Sequence, residues 1–172
     1  MGPTGPDQAL PTLAAPPHVK AEPPRGNVAL KTDDKGRLKL PPPFLKFMQA
    51  LGDETVFITS VDRKSVRVYP MTKWREAEVW LQSPEREADS AERLWRMANH
   101  YGAESGVDDQ NRVLIPALLR QELSLVKADV YLCPTRSGRF DVLPEAVYMA
   151  QLEESHAHNR NDVELAVKQR MP

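Results

Sequence analysis

The chain carries one pattern twice. Asp33-Asp34-Lys35-Gly36-Arg37-Leu38-Lys39-Leu40-Pro41 returns as Asp108-Asp109-Gln110-Asn111-Arg112-Val113-Leu114-Ile115-Pro116, an offset of 75 residues (33 to 108). Further along, Val56-Phe57-Ile58-Thr59 is answered by Val130-Tyr131-Leu132-Cys133, and Val68-Tyr69-Pro70 by Val142-Leu143-Pro144, at an offset of 74 (56 to 130). The second copy has therefore lost one residue in a loop. A unit this small is expected to be unable to bury a core alone and to complete itself against its twin.

A length of 172 residues fits one compact domain, and a hydrophobic content of 41% supports a packed core. No apolar run approaches the roughly 20 residues needed to cross a bilayer. The start lacks the charged and apolar stretches of a signal peptide, and the single cysteine, Cys133, allows no intrachain disulfide. The expected place is the cytoplasm. A net charge of −1 singles out no partner, but its distribution does. Over 27–48, five basic side chains face two acidic ones; over 101–122, two basic face four acidic. The first copy is the one suited to a phosphate backbone.

Residues 1–24, with seven prolines and no aromatic residue, read as a disordered tail. A first repeat is expected over 25–71. In it, a strand at 27–32 and a strand at 37–40 form a hairpin around Asp33–Gly36, where Gly36 takes a positive φ. A short helix over 44–51 ends at Gly52. A second hairpin pairs 55–60 with 65–69. A helical connector spans 72–100, with Thr72 as the N-cap of its first helix and Ser83-Pro84 as the break. The second repeat, 101–146, follows the same order. The remainder, 147–172, reads as a helix ending near Ser155 and a polar tail in which 162–169 forms a marginal helix. The fold class is mainly β with α.

With the two Asp-x-x-x-Arg motifs, Asp33 to Arg37 and Asp108 to Arg112, each followed by two hydrophobic positions and a proline, the chain resembles the MraZ family of bacterial transcriptional regulators. Arg25-Gly26 precedes the first motif at the family's distance, and Tyr69-Pro70-x-x-x-Trp74 matches its Tyr-Pro and helix-borne Trp. The resemblance runs from Arg25 to about Glu154 and does not include 1–24. Asn111 stands where the family has glycine, and Asn is the next best residue at positive φ. The resemblance implies two tandem SpoVT-AbrB (AbrB-like) swapped-hairpin units forming one pseudo-symmetric β-barrel flanked by helices. It further implies a ring-shaped homo-oligomer in the nucleoid that binds repeated promoter boxes upstream of the cell-division and cell-wall genes.

Arg37 has two readings, closing its turn against Asp33 or reaching DNA, and the two are compatible if Asp33 orients it and leaves guanidinium donors free; the basic surroundings and the resemblance favour DNA contact. Lys31, Lys35 and Lys39, alternating along the expected hairpin, would share one face with it, and Arg25 joins the DNA-binding set. Arg112 lies among acidic residues and reads as structural. Trp80 and Leu94 on the connector are candidate subunit contacts. His100, His156 and His158 fit no zinc spacing, so no metal is expected. The eight glycines form no phosphate-binding loop, and no triad spacing is present, so neither a cofactor, a small-molecule substrate nor an enzyme activity is expected. The rival function is an AbrB-like or antitoxin-type interaction module without its own DNA specificity.

Overall fold

The computed structural model describes residues 21–83 and 87–171. The elements run β1 (Val28–Lys31), β2 (Arg37–Lys39), α1 (Pro42–Leu51), β3 (Thr55–Thr59), β4 (Val66–Pro70), α2 (Met71–Leu81) and α3 (Ala88–Tyr101). The second copy supplies β5 (Ala103–Gly106), β6 (Arg112–Leu114), α4 (Ala117–Glu122), β7 (Asp129–Pro134), β8 (Phe140–Pro144) and α5 (Glu145–Lys168). The fold is α+β. Six antiparallel strands form one sheet in the order β1-β7-β8-β4-β3-β5, with β1 and β5 at its edges. β2 and β6 form a separate two-stranded ribbon.

The strands of each copy pair with the other copy. β1 pairs with β7, β2 with β6 and β5 with β3. The expected hairpin between 27–32 and 37–40 does not form. The turn between them is instead tied to the second copy, where the Thr32 amide donates to the Ala128 carbonyl and the Lys127 amide to the Asp33 carbonyl. The second hairpin of each copy does form locally, as β3 with β4 and β7 with β8.

The registers obey a pseudo-two-fold. In the ribbon Leu38 faces Val113, its own repeat partner, and in the sheet Arg67 faces Asp141, likewise its own partner. The pseudo-axis therefore passes through both pairs. Val28 opposite Leu132 maps onto Ala103 opposite Ile58 under the same operation. α1 has 10 residues and α4 has 6, and the residue missing from the second copy falls between these helices and the following strands.

Leu38, Leu40, Val113 and Ile115 of the ribbon are buried against Phe44, Val56, Leu119, Val130 and Phe140. Phe44 meets Phe140 edge-on at 4.7 Å. A smaller cluster joins the outer face of the sheet to α2 and α3, with Phe57 stacked on Trp74 at 4.0 Å and Trp95 on the far side of that indole. Large aromatic areas of this kind supply a disproportionate share of the burial energy.

Three further expectations change. Thr72 is not the N-cap of α2: Pro70 holds that place, and the Asp53 carboxylate takes both the Thr72 amide and its hydroxyl, each at 3.0 Å. α5 does not end near Ser155 but continues to Lys168 without a break. Of the segment 1–24, residues 1–20 lie outside the described residues; Ala21 packs on the main core, and Glu22 and Pro24 lie beside α1. Pro84 also lies outside the described residues.

Candidate nucleic-acid interface

Each motif turn is built by its aspartate. Asp33 Oδ1 accepts the Lys35 and Arg37 amides, both at 2.9 Å, and its Oδ2 accepts Arg37 Nε at 2.6 Å. Asp108 repeats this, with Oδ1 taking the Gln110 and Arg112 amides at 2.9 Å and Oδ2 taking Arg112 Nε at 2.9 Å. The Gly36 amide donates to the Asp33 carbonyl at 3.0 Å, and Asn111 to Asp108 at 2.8 Å. Both turns need a left-handed residue, Gly36 at φ 72° and Asn111 at φ 61°. At Gly36 there is also no room, because a Cβ would collide with the Arg120 side chain.

The ladder between β2 and β6 then brings the two motifs together. Leu38 and Val113 point into the core, so Arg37, Lys39, Arg112 and Leu114 point out. Arg37 stands opposite Leu114, and Lys39 opposite Arg112. Arg112 Nη1 lies 3.6 Å from Asp33 Oδ2, the oxygen that already holds Arg37. One carboxylate thus bridges both motif arginines, whose side chains stay only 26% and 21% exposed. Desolvation works to raise the Asp33 pKa, but the hydrogen bonds from Arg37 and Lys35 and the Arg37 charge outweigh it and bring it down to about 2. At Asp108 the hydrogen bond from the Arg112 side chain is the main cause of a lowered pKa, against some desolvation. Both carboxylates are ionised at neutral pH and hold the guanidiniums by charge-assisted bonds. What the face offers is a row of oriented donors with positive charge and one exposed leucine.

Lys35, in the turn, is exposed beside this row. Lys31 does not share its face. It sits on β1 of the six-stranded sheet, 3.5 Å from Asp129, so the expected alternation of lysines along one hairpin is absent. Arg25 pairs with Glu22 at 3.0 Å and lies beside Pro134–Arg136, at the end of β1 away from the motif turn. Arg112, expected to be structural, pairs with Asp108 and approaches Asp33, and it stands in the same outward row as Arg37. Of the acidic residues around it in the sequence, Glu104 lies on β5 opposite Phe57 and Glu122 receives Arg63 Nε at 3.0 Å, while Asp108 stays paired with Arg112 itself.

Sequence reasoning missed Arg120. From α4 its Nη1 donates to the Lys35 carbonyl at 2.7 Å and clamps the first turn from the second copy. The 85-residue separation leaves no local signal for it. It also passed over Leu114, which is 45% exposed.

Elsewhere, a cavity of about 440 Å³ lies between α2, α3 and the sheet. Its cations Arg67, Lys73 and Arg139 each meet a carboxylate, on Asp62, Glu76 and Asp141 respectively. Burial, with the nearby Asp141 charge, pushes the Cys133 thiol up to about 11. His100 packs edge-on against Tyr101, and His156 and His158 are exposed on α5. Among the described residues no three His, Cys, Asp or Glu side chains gather as a metal site, and no helix is long and apolar enough to cross a membrane.

No protein-family model matches the chain. It is similar to the transcriptional regulator MraZ of Koribacter versatilis, 36% identical over 107 residues that make up 62% of this chain and 72% of that protein. The transcriptional regulator MraZ of Acidobacterium capsulatum gives 36% identity over 106 residues, again 62% and 72% of the two chains. The transcriptional regulator MraZ of Shewanella piezotolerans gives 30% over 148 residues, 85% of this chain and 95% of that protein. With the paired motifs built into one ribbon and these relatives covered over more than two thirds of their length, the chain belongs to the MraZ family of transcriptional regulators.

Proposed function

We propose that the chain regulates transcription by binding duplex promoter DNA through the β2–β6 ribbon. The observation that carries this is the convergence of Arg37, Lys39 and Arg112 on one outward face, with Asp33 and Asp108 orienting the arginines. The major groove, about 12 Å wide, admits a two-stranded ribbon, and arginine is the side chain best matched to guanine O6 and N7. Lys35 and Lys39 serve the phosphates. Lys31 and Arg25 are secondary, since they stand off the ribbon. The ribbon and the six-stranded sheet enclose the core as one pseudo-symmetric barrel-like body.

The reading extends to a ring-shaped oligomer in the nucleoid, whose subunits engage successive promoter boxes upstream of cell-division and cell-wall genes. Exposed apolar side chains on α2 (Val79, Trp80) and on the last turns of α5 (Val163, Leu165, Val167) support subunit contacts. Leu94, the other candidate, is half-buried against the cavity under α2. Several modest ribbon contacts then add through effective concentration.

The test is a binding titration of folded Arg37→Ala and Arg112→Ala proteins against the DNA upstream of the protein's own coding region. Each is expected to lose about 1–3 kcal/mol per engaged site. Lys39→Ala should weaken binding evenly across sequences and flatten its salt dependence. Unchanged binding in both arginine variants would refute the assignment.

A further inference from the structure

Leu114 is an anomaly on the ribbon. Its repeat partner in the first copy is Lys39, at the same place in the same ladder and likewise exposed. The fold therefore does not require an apolar side chain there. Nor does the core use it: Val113 and Ile115, on either side, are fully buried while Leu114 points out. Its backbone is fixed, with the amide donating to Ser105 Oγ at 3.0 Å and the ladder holding it opposite Arg37. Directly opposed residues in an antiparallel pair stand about 4.5–5.5 Å apart. A ligand that satisfies this pair must offer hydrogen-bond acceptors to a guanidinium and, one step along, an apolar group to a leucine.

Duplex DNA offers that combination in its major groove. Guanine shows the O6 and N7 acceptors there, and thymine shows its C5-methyl group. Neighbouring base pairs are about 3.4 Å apart along the axis, within reach of adjacent side chains. The minor groove shows no methyl, and the narrow major groove of RNA is closed to side chains. We infer that Leu114 is a specificity-determining residue that packs on the methyl group of a thymine beside the base read by Arg37, so that the ribbon reads thymine by apolar contact as well as guanine by hydrogen bonds. This rests on the DNA-binding reading above. It also makes the two halves of the ribbon chemically unequal, Arg37 with Lys39 against Arg112 with Leu114.

The test is a two-by-two comparison. The DNA upstream of the protein's own coding region is amplified once normally and once with deoxyuridine triphosphate in place of thymidine triphosphate, which removes only the methyl groups. Both fragments are titrated with the wild-type protein and with Leu114→Ala and Leu114→Lys, the latter copying the first repeat. One buried methyl is worth about fourfold in affinity per engaged site. The wild type is expected to bind the deoxyuridine fragment at least about fourfold more weakly, and both variants to bind the two fragments alike. Wild-type binding that ignores the methyl groups, or a Leu114→Ala protein that keeps the wild-type preference, would overturn the inference and leave the DNA-binding reading standing. Dissociation of the oligomer in native mass spectrometry of both variants would overturn it too, by making Leu114 a protein contact. A wild type that binds neither fragment would sink the DNA-binding reading itself.

Discussion

Asp33 does more in the ribbon than its twin. It holds its own arginine and also approaches that of the other copy, whereas Asp108 holds Arg112 alone. Its carboxyl moves from 3.8 to about 2 on folding. The ionised form is therefore favoured by the fold, and the contribution is fully present above about pH 4 and lost as the pH falls through 2. Asp33→Asn is expected to be less stable than wild type at pH 7, with the gap narrowing at pH 3. Urea titrations at the two pH values check this, and a gap unchanged by pH would place its source outside the carboxylate. Gly36→Ala meets two costs together, a left-handed backbone worth about 1–2 kcal/mol and the collision with Arg120. Asn111→Gly, in the equivalent turn, should instead stabilise by less than about 1 kcal/mol. Denaturant midpoints decide it, and a harmless Gly36→Ala would contradict the packing described. The turn residues were legible in the sequence because Asx and glycine chemistry is local. The approach of Arg112 to Asp33 was not, because the two lie 79 positions apart (33 to 112) and become neighbours only when β2 meets β6. Charge counted along the chain does not give the charge around it in space: Glu104 and Glu122 lie off the ribbon, while Asp108 and Asp33 flank the guanidinium.

The elements divide in the same way. The β3–β4 hairpin was readable because its turn closes on itself: Asp62 collects the Lys64 and Ser65 amides within the loop. The first hairpin looked as local and was not. Strand propensity fixes where strands lie but says little about which edge they join. At α2 the sequence offered Thr72 as a cap, but the Asp53 carboxylate, buried in the turn between α1 and β3, supplies the acceptor and lies near the positive end of the helix dipole. Asp53→Ala is expected to cost about 1 kcal/mol or more, and Thr72→Ala less, because Asp53 still takes the Thr72 amide in the second variant. Thermal melts of the pair test this; a larger loss in Thr72→Ala would restore the threonine as the cap. α5 outran its expected end because no proline or glycine follows Pro144 until Pro172, and Ala, Glu, Leu, Gln and Arg keep the helix favourable where packing no longer helps. Its polar composition argued for a tail; its lack of breakers decided for a helix.

At the scale of the molecule the duplication is what the sequence announced and what the ladders express. Self-similarity at a fixed offset said that the copies complete each other; the registers add how, with the pseudo-axis running through Leu38–Val113 and Arg67–Asp141. Isolating the first copy, residues 1–71, makes the dependence measurable. β1 would lose β7, β2 would lose β6, β3 would lose β5, and β4 would lose β8, leaving only the β3–β4 hairpin. Leu38, Leu40 and Phe44 would lose Val113, Ile115 and Phe140 as packing partners. Removing even one fully buried large side chain costs about 2–5 kcal/mol, against a total stability of about 5–15 kcal/mol for a domain. A lone hairpin with one short helix cannot make up that loss. Residues 1–71 alone are therefore expected to be unfolded as a monomer, and any fold they reach must come from two copies standing in for the missing partner at high concentration. Circular dichroism and light scattering across a concentration series read both states. A stable, cooperatively melting monomer of 1–71 would show that the first copy carries its own core and that the inter-copy ladders are not what holds the ribbon in place.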